Sequence, residues 1–176
     1  MARTAALSLL FAFLVVTPGS IPEARAASKP AVPQSAPDVS LPSRNGGRVS
    51  LLTFRGKVVL VDFWASWCGP CKQSFPWLAS LRSRYPDSTL AVVAINLDKK
   101  REAAEDFLID HPASFTVLFD PDGKSADAFL SASHASPGIP MSFIIGRDGT
   151  ILDARIGFDP KKTAAYEATI AEALAR

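Results

Sequence analysis

The run Val58-Val-Leu-Val-Asp-Phe-Trp64 leads directly into Ala65-Ser-Trp-Cys-Gly-Pro-Cys71. The first stretch has the continuous, β-branched apolar character of a strand buried on both faces. After the second, Phe75, Leu78 and Leu81 fall on one face of a helix spanning Cys71 to Arg84, with Pro76 inside it. A strand buried on both faces needs neighbouring strands and helices covering the sheet. The junction also carries the only two cysteines of the 176 residues. A Cys-x-x-Cys at a strand-to-helix junction is the pattern of thiol–disulfide exchange.

The flanking sequence fits the same architecture. Asp38 to Leu41 and Arg48 to Leu52 read as short strands about the Asn45-Gly46-Gly47 turn, a hairpin. Leu90 to Asn96 is a second buried strand, and Arg101 to Asp110 a helix with an apolar stripe of Ala103, Ala104, Phe107 and Leu108. Phe115 to Phe119 reads as a strand and Lys124 to Leu130 as a short helix after the Asp120-Pro-Asp-Gly123 turn. Ser142 to Ile145 and Ile151 to Ile156 flank Arg147-Asp148-Gly149, a second hairpin, and Lys161 to Leu174 is an amphipathic helix. Strands alternating with helices, then a hairpin and a helix, give an α/β fold with a mixed central sheet flanked by helices.

The ends set the context. Arg3, the apolar run Ala5 to Val16, the breakers Pro18, Gly19 and Pro22, and Ala24-Arg25-Ala26 have the layout of a secretory signal peptide over residues 1–26. The alternative is an uncleaved anchor facing the periplasm, but crossing a bilayer takes about 20 apolar residues. Residues 27–37, rich in Pro, Ala and Ser, read as a flexible linker, and residues 38–176 as a single domain. Of 19 basic and 17 acidic residues, cleavage removes Arg3, Arg25 and Glu23, leaving 17 and 16. That near-neutral balance argues against nucleic acid as a partner. An exported pair of cysteines meets an oxidising compartment and needs a source of electrons to stay reduced.

Cys68 falls at or just before the first helical turn, where unpaired N–H groups and the positive dipole end stabilise a thiolate. It is therefore the attacking sulfur. Cys71, one turn in and shielded, is the resolving one. Pro70 fits the first turn, where its missing N–H does no harm. Zinc needs about four ligands, and the two cysteines with His111 and His134 lack finger-like spacing, so both histidines read as surface or loop residues. A purely structural disulfide would usually close a longer loop. Asp62 interrupts a buried apolar run, where desolvation raises a carboxyl pKa.

Val61-Asp-Phe-Trp-Ala-Ser-Trp-Cys-Gly-Pro-Cys-Lys72 resembles the active-site segment of thioredoxin. The leading hairpin, the Gly56 to Trp67 stretch and Gly138-Ile-Pro-Met-Ser-Phe143 with the following Asp-Gly hairpin resemble the exported TlpA/ResA/CcmG (DsbE) branch of that superfamily. The resemblance covers about residues 37–175. It implies a thioredoxin-like fold with an N-terminal β-hairpin and a central helix–strand insert, about Lys99 to Phe119. It also implies that Pro140 is cis beside the cysteines, that Ile139 offers its backbone to an extended client strand, and that Trp67, Gly69 and Pro70 belong to the docking surface, with Trp64 in the core. By the same resemblance Asp62 accepts the proton of Cys71, with Asp98 as a second candidate. Ala94 stands where thioredoxin has a lysine, and Met141 where relatives often carry a small hydroxyl residue.

The activity implied is that of a periplasmic protein disulfide reductase, with no cofactor beyond the redox-active Cys68–Cys71 disulfide. Its partners would be client protein disulfides, in cytochrome c maturation or oxidase copper-site assembly, and a membrane electron donor of the DsbD/CcdA type; the chain itself reads as a monomer. The alternative is a metallochaperone or redox-sensing binding module using the same cysteines. A peroxidase of the peroxiredoxin kind would place Thr or Ser three residues before its cysteine, where this chain has Ala65.

Overall fold

The computed structural model describes residues 34–176; residues 1–26, read as a signal peptide, and residues 27–33 of the stretch read as a linker lie outside the described residues. The apolar run Val58–Trp64 is the central strand, β4, and every one of its seven residues is buried. Three short strands precede it: β1 (Gln34–Ser35), β2 (Ser40–Pro42) and β3 (Arg48–Ser50). After it come α1 (Gly69–Arg84), β5 (Leu90–Asn96), α2 (Arg101–Asp110), β6 (Thr116–Phe119), α3 (Lys124–Ser133), β7 (Met141–Ile145), β8 (Thr150–Ile156) and α4 (Thr163–Leu174).

The main sheet has the order β1-β8-β7-β4-β5-β6. β4 runs parallel to β5 and antiparallel to β7; β5 and β6 are parallel, whereas β7–β8 and β8–β1 are antiparallel. This is the mixed sheet expected. β2 and β3 form the separate N-terminal hairpin, which reaches the sheet through Ser43 beside Leu118. The segment read as an insert supplies α2 and β6, and β6 extends the sheet past β5.

Pleating divides β4 between two cores. Val58, Leu60 and Trp64 pack against Phe75 and Leu78 of α1, Phe107 of α2 and Ile170 of α4. Val59, Val61 and Phe63 pack on the other face against Phe129 of α3 and Phe143 of β7. Aromatic edges lock both layers: Trp64 stands on Phe75 at 4.8 Å between ring centroids, and Phe63 on Phe129 at 5.4 Å. Both cysteines belong to the first core.

Several boundaries differ from the sequence reading, among them β2, which is displaced, and β3, which is shortened because Leu51–Phe54 forms a 3₁₀ turn. The sheet begins at Gln34, inside the stretch assigned to the linker, so the domain starts before residue 38. Gln34 lies opposite Ile151 and Ser35 opposite Thr150, and Ala36 N–H donates to the Gly149 carbonyl at 2.9 Å. An edge strand two residues long is held by its backbone and needs no apolar pattern. Phe115 falls outside β6 and stacks on Phe75 instead, at 5.5 Å. The last helix starts at Thr163 because Asp159 caps Lys161 N–H at 3.0 Å and closes a 3₁₀ turn over Pro160–Lys162. The β7–β8 turn is as expected. Gly149 there has φ 83°, a left-handed conformation that favours glycine, and the Arg55 guanidinium lies over it.

Phe129 is fully buried in the core away from the sulfurs. Phe129→Ala should cost about 3–5 kcal/mol in urea unfolding. The disulfide-exchange rate of the folded fraction should stay unchanged, because the two cores lie on opposite faces of the sheet.

Candidate active site

Cys68 is the N-cap of α1, with extended backbone (φ −82°, ψ 105°) that turns the chain from β4 into the helix. Its N–H donates to the Ala65 carbonyl at 3.1 Å, and its Sγ accepts from Cys71 N–H at 3.2 Å. The first turn of α1 holds no acidic residue, so the positive end of the helix acts on this sulfur unopposed. Pro70 sits in that turn. Cys68 and Cys71 form a disulfide with Cα atoms 5.3 Å apart. Both are buried in the oxidised protein; Cys68 keeps 4% exposure and Cys71 none, so the access there is to the pair lies at Cys68.

The surroundings of the pair fall into place around that access. Trp67 is 72% exposed, and Gly69 and Pro70 are exposed beside it. Trp64, in contrast, is fully buried. The Ile139–Pro140 peptide is cis, Pro140 is buried, and half-buried Ile139 packs against the core that contains both cysteines. Gly138 lies so close to Ile156 that a Cβ would stand 2.8 Å from its Cγ2. Met141, by contrast, points into the second core with Phe63 and Phe143 and is 2% exposed. It is a packing residue and contributes little surface to a docking site.

Asp62 is fully buried and shares its face of β4 with Leu60 and Trp64, the face that packs around the cysteines. Register places Ala94 directly opposite on β5 and Ser142 directly opposite on β7. Ser142 Oγ donates to Asp62 Oδ1 at 2.6 Å, and Oδ2 has no hydrogen-bond partner among the described residues. Burial pushes the carboxyl up to about 7 in the oxidised protein; the Ser142 hydrogen bond offsets part of that rise. Ser142 is the residue that sequence reasoning missed. Its one signal was a polar side chain with the same strand parity as Ile144, and its partner becomes visible only through register.

Asp98 has a different place. Oδ2 accepts from Ser66 N–H at 2.8 Å and from Asn96 Nδ2 at 2.7 Å, and Oδ1 accepts from the Ser66 hydroxyl at 2.9 Å. These bonds tie the end of β5 to the loop that carries Trp67 and leads to Cys68. The two histidines lie elsewhere. His111 stacks on Phe107 at 4.4 Å, and exposed His134 hydrogen-bonds Gln34 at 3.0 Å. Among the described residues, no helix is long and apolar enough to cross a membrane.

Comparison with known proteins agrees with this geometry. The model of the AhpC/TSA family matches residues 32–154. The thioredoxin-like protein YneN of Bacillus subtilis is 36% identical over 132 residues, which cover 73% of this chain and 74% of that protein. The thiol-disulfide oxidoreductase ResA of the same organism is 31% identical over 122 residues, covering 69% of this chain and 65% of ResA. A crystal structure from Chlorobium tepidum, assigned to the DsbE thiol:disulfide interchange proteins, is 42% identical. It superposes with a TM-score of 0.75 and covers 85% of this chain and 99% of that one. With its Cys-x-x-Cys pair at the start of α1, the chain belongs to the AhpC/TSA family, as a thioredoxin-like thiol–disulfide oxidoreductase of the ResA/DsbE type.

Proposed function

We propose that the protein is an exported reductant of client protein disulfides. The observation that carries this reading is a Cys-x-x-Cys disulfide whose first cysteine caps α1, with a buried carboxyl on the same side of the sheet. The Cys68 thiolate attacks one client sulfur, the client S–S bond breaks, and the other client sulfur leaves as a thiolate. Asp62 then takes the proton of Cys71, whose sulfur attacks Cys68 and releases the second client sulfur. Two electrons pass to the client, and the Cys68–Cys71 disulfide is the product. No cofactor enters these steps.

Resemblance supports the rest of the reading. Gly69-Pro70 between the cysteines and Ile139 before Pro140 match reducing members of the thioredoxin superfamily. Trp67 and the exposed first turn of α1 offer a docking surface, and the Ile139 backbone offers an edge for an extended client segment. The signal-peptide-like N-terminal sequence supports work in the periplasm, where a DsbD/CcdA-type membrane protein would return electrons to the monomer. Clients would be apocytochrome c or the copper site of a terminal oxidase.

Trapping tests the reading directly. Cys68→Ser should abolish turnover, whereas Cys71→Ser should accumulate mixed disulfides with envelope proteins, identified by mass spectrometry after non-reducing electrophoresis. A Cys71→Ser protein that gathers no adducts would overturn the division of labour.

The Asp62 carboxyl has two consequences with pH. Its folded pKa, about 7, lies above the ordinary value of 3.8. Between these values the folded chain holds a proton that the unfolded chain has lost. Stability therefore falls as pH rises through that window, by on the order of 4 kcal/mol, and then levels off. Asp62→Asn should lack this decline, so its stability relative to the native protein should rise from pH 4 to 7 in urea titrations. In kinetics, the resolution rate of the native protein should climb with pH up to about 7, and Asp62→Asn should lose that limb.

Asp98→Ala leaves Ser66 N–H and Asn96 Nδ2 without their acceptor, a loss of about 1–3 kcal/mol for a buried donor. Hydrogen exchange at Ser66 and Trp67 should speed up while the β4 amides stay protected.

A further inference from the structure

Asp62 meets one polar side chain. On the β5 side its register partner is Ala94, whose methyl group offers no hydrogen bond. On the β7 side it is Ser142, whose hydroxyl lies 2.6 Å from Oδ1. That length is typical of a hydroxyl donating to an ionised carboxylate. Serine has a single O–H to give, and here the bond goes to one oxygen of the carboxylate and leaves the other bare.

Ser142 also stands between Asp62 and the outside. Asp62 is fully buried, whereas Ser142 is half-buried and lines a cleft with Trp77, Ile144, Arg155, Phe158 and Tyr166. Arg155 is the β8 register partner of Ser142. Its charge is already engaged: it pairs with Asp153, bonds Thr169 Oγ1 at 2.6 Å and lies over the Tyr166 ring at 4.5 Å.

We propose that Ser142 is a positioning residue for proton transfer: its hydroxyl fixes Oδ1 of Asp62 from the cleft side and leaves Oδ2 as the oxygen that receives the Cys71 proton. The inference rests on Asp62 being the proton acceptor. In the resolving step the Cys71 S–H bond breaks, an O–H bond forms at Oδ2, and the Ser142 hydrogen stays on its own oxygen throughout. Because that hydrogen bond favours the anion, it also keeps Asp62 able to act as a base near neutral pH. The titratable and charged groups nearest this carboxyl are the cysteine pair of the core on its face of β4 and, in the cleft that Ser142 lines, Asp153 and Arg155 on β8 and Tyr166 on α4. Among the described residues only Ser142 hydrogen-bonds the carboxyl.

The test follows closure of the Cys68–Cys71 disulfide from a glutathione adduct on Cys68, read as glutathione release from about pH 5 to about pH 9. Ser142→Ala and Ser142→Val should move the midpoint of the pH profile upward by about one unit and slow release near pH 7 about fivefold. Ser142→Thr has the shape of valine but keeps the hydroxyl, and it should return the profile to within about twofold of the native one. A Ser142→Val profile that overlays the native one, or a Ser142→Thr protein no better than Ser142→Val, would overturn the proposal. Asp62→Asn separates the two levels. If it flattens the profile while Ser142→Val changes nothing, Ser142 alone loses its role. If Asp62→Asn leaves the native profile intact, the proton-acceptor reading fails and this proposal fails with it.

Discussion

β4 is enclosed on four sides. β5 and β7 take its backbone hydrogen bonds, and two hydrophobic cores take its side chains. A strand so enclosed has no route to water, so a polar side chain on it must find its partner on a neighbouring strand. The same enclosure fixes the direction in which β4 ends. Its last turn delivers Cys68 to the start of α1, and α1 is held over the sheet by Phe75, Leu78 and Leu81. The positions of the sulfurs and the basicity of Asp62 thus follow from one arrangement.

Much of this arrangement is legible in the residues because it rests on local pattern. The limits of β4, β5 and α2 follow from unbroken apolar runs and a 3.6-residue stripe. Asp62 stands out because it breaks such a run, and the cysteine pair because its spacing has few other uses. What escapes is what depends on pairing across long separations. Gln34–Ser35 has no apolar signal, and its strand exists only because β8 offers an edge more than 100 residues later. Ser142 is an unremarkable polar residue until the β4–β7 register sets it opposite Asp62, 80 residues away. Asp98 was legible as an acidic residue after β5, but its attachment to Ser66 belongs to the folded loop.

The two departures from the thioredoxin pattern acquire physical content here. Ala94 lies directly opposite Asp62, so no lysine shares the buried carboxyl and its polar contact comes from the other side of β4. Met141 turns into the second core and packs with Phe63. The polar function that relatives often place directly after the cis proline is therefore missing from that position. One residue further along β7, pleating carries the Ser142 hydroxyl to the opposite face, the face of the sulfurs.

Three aspartates are buried in this protein, and their hydrogen bonds tell them apart. Asp120 accepts from both the backbone and the hydroxyl of Ser125 and fixes the start of α3. Asp98 spreads three donors over both of its oxygens and fixes the loop before Cys68. Asp62 has one donor and one bare oxygen. A carboxylate surrounded by donors is a good structural anchor, because each donor ties it to a fixed neighbour. A carboxylate with no donors at all, buried among apolar side chains, would hold its proton permanently at neutral pH. Asp62 lies between these limits, stabilised by one hydroxyl and otherwise desolvated. Of the three, it is the one with a carboxylate oxygen left unengaged, and the proposed proton transfer rests on that oxygen.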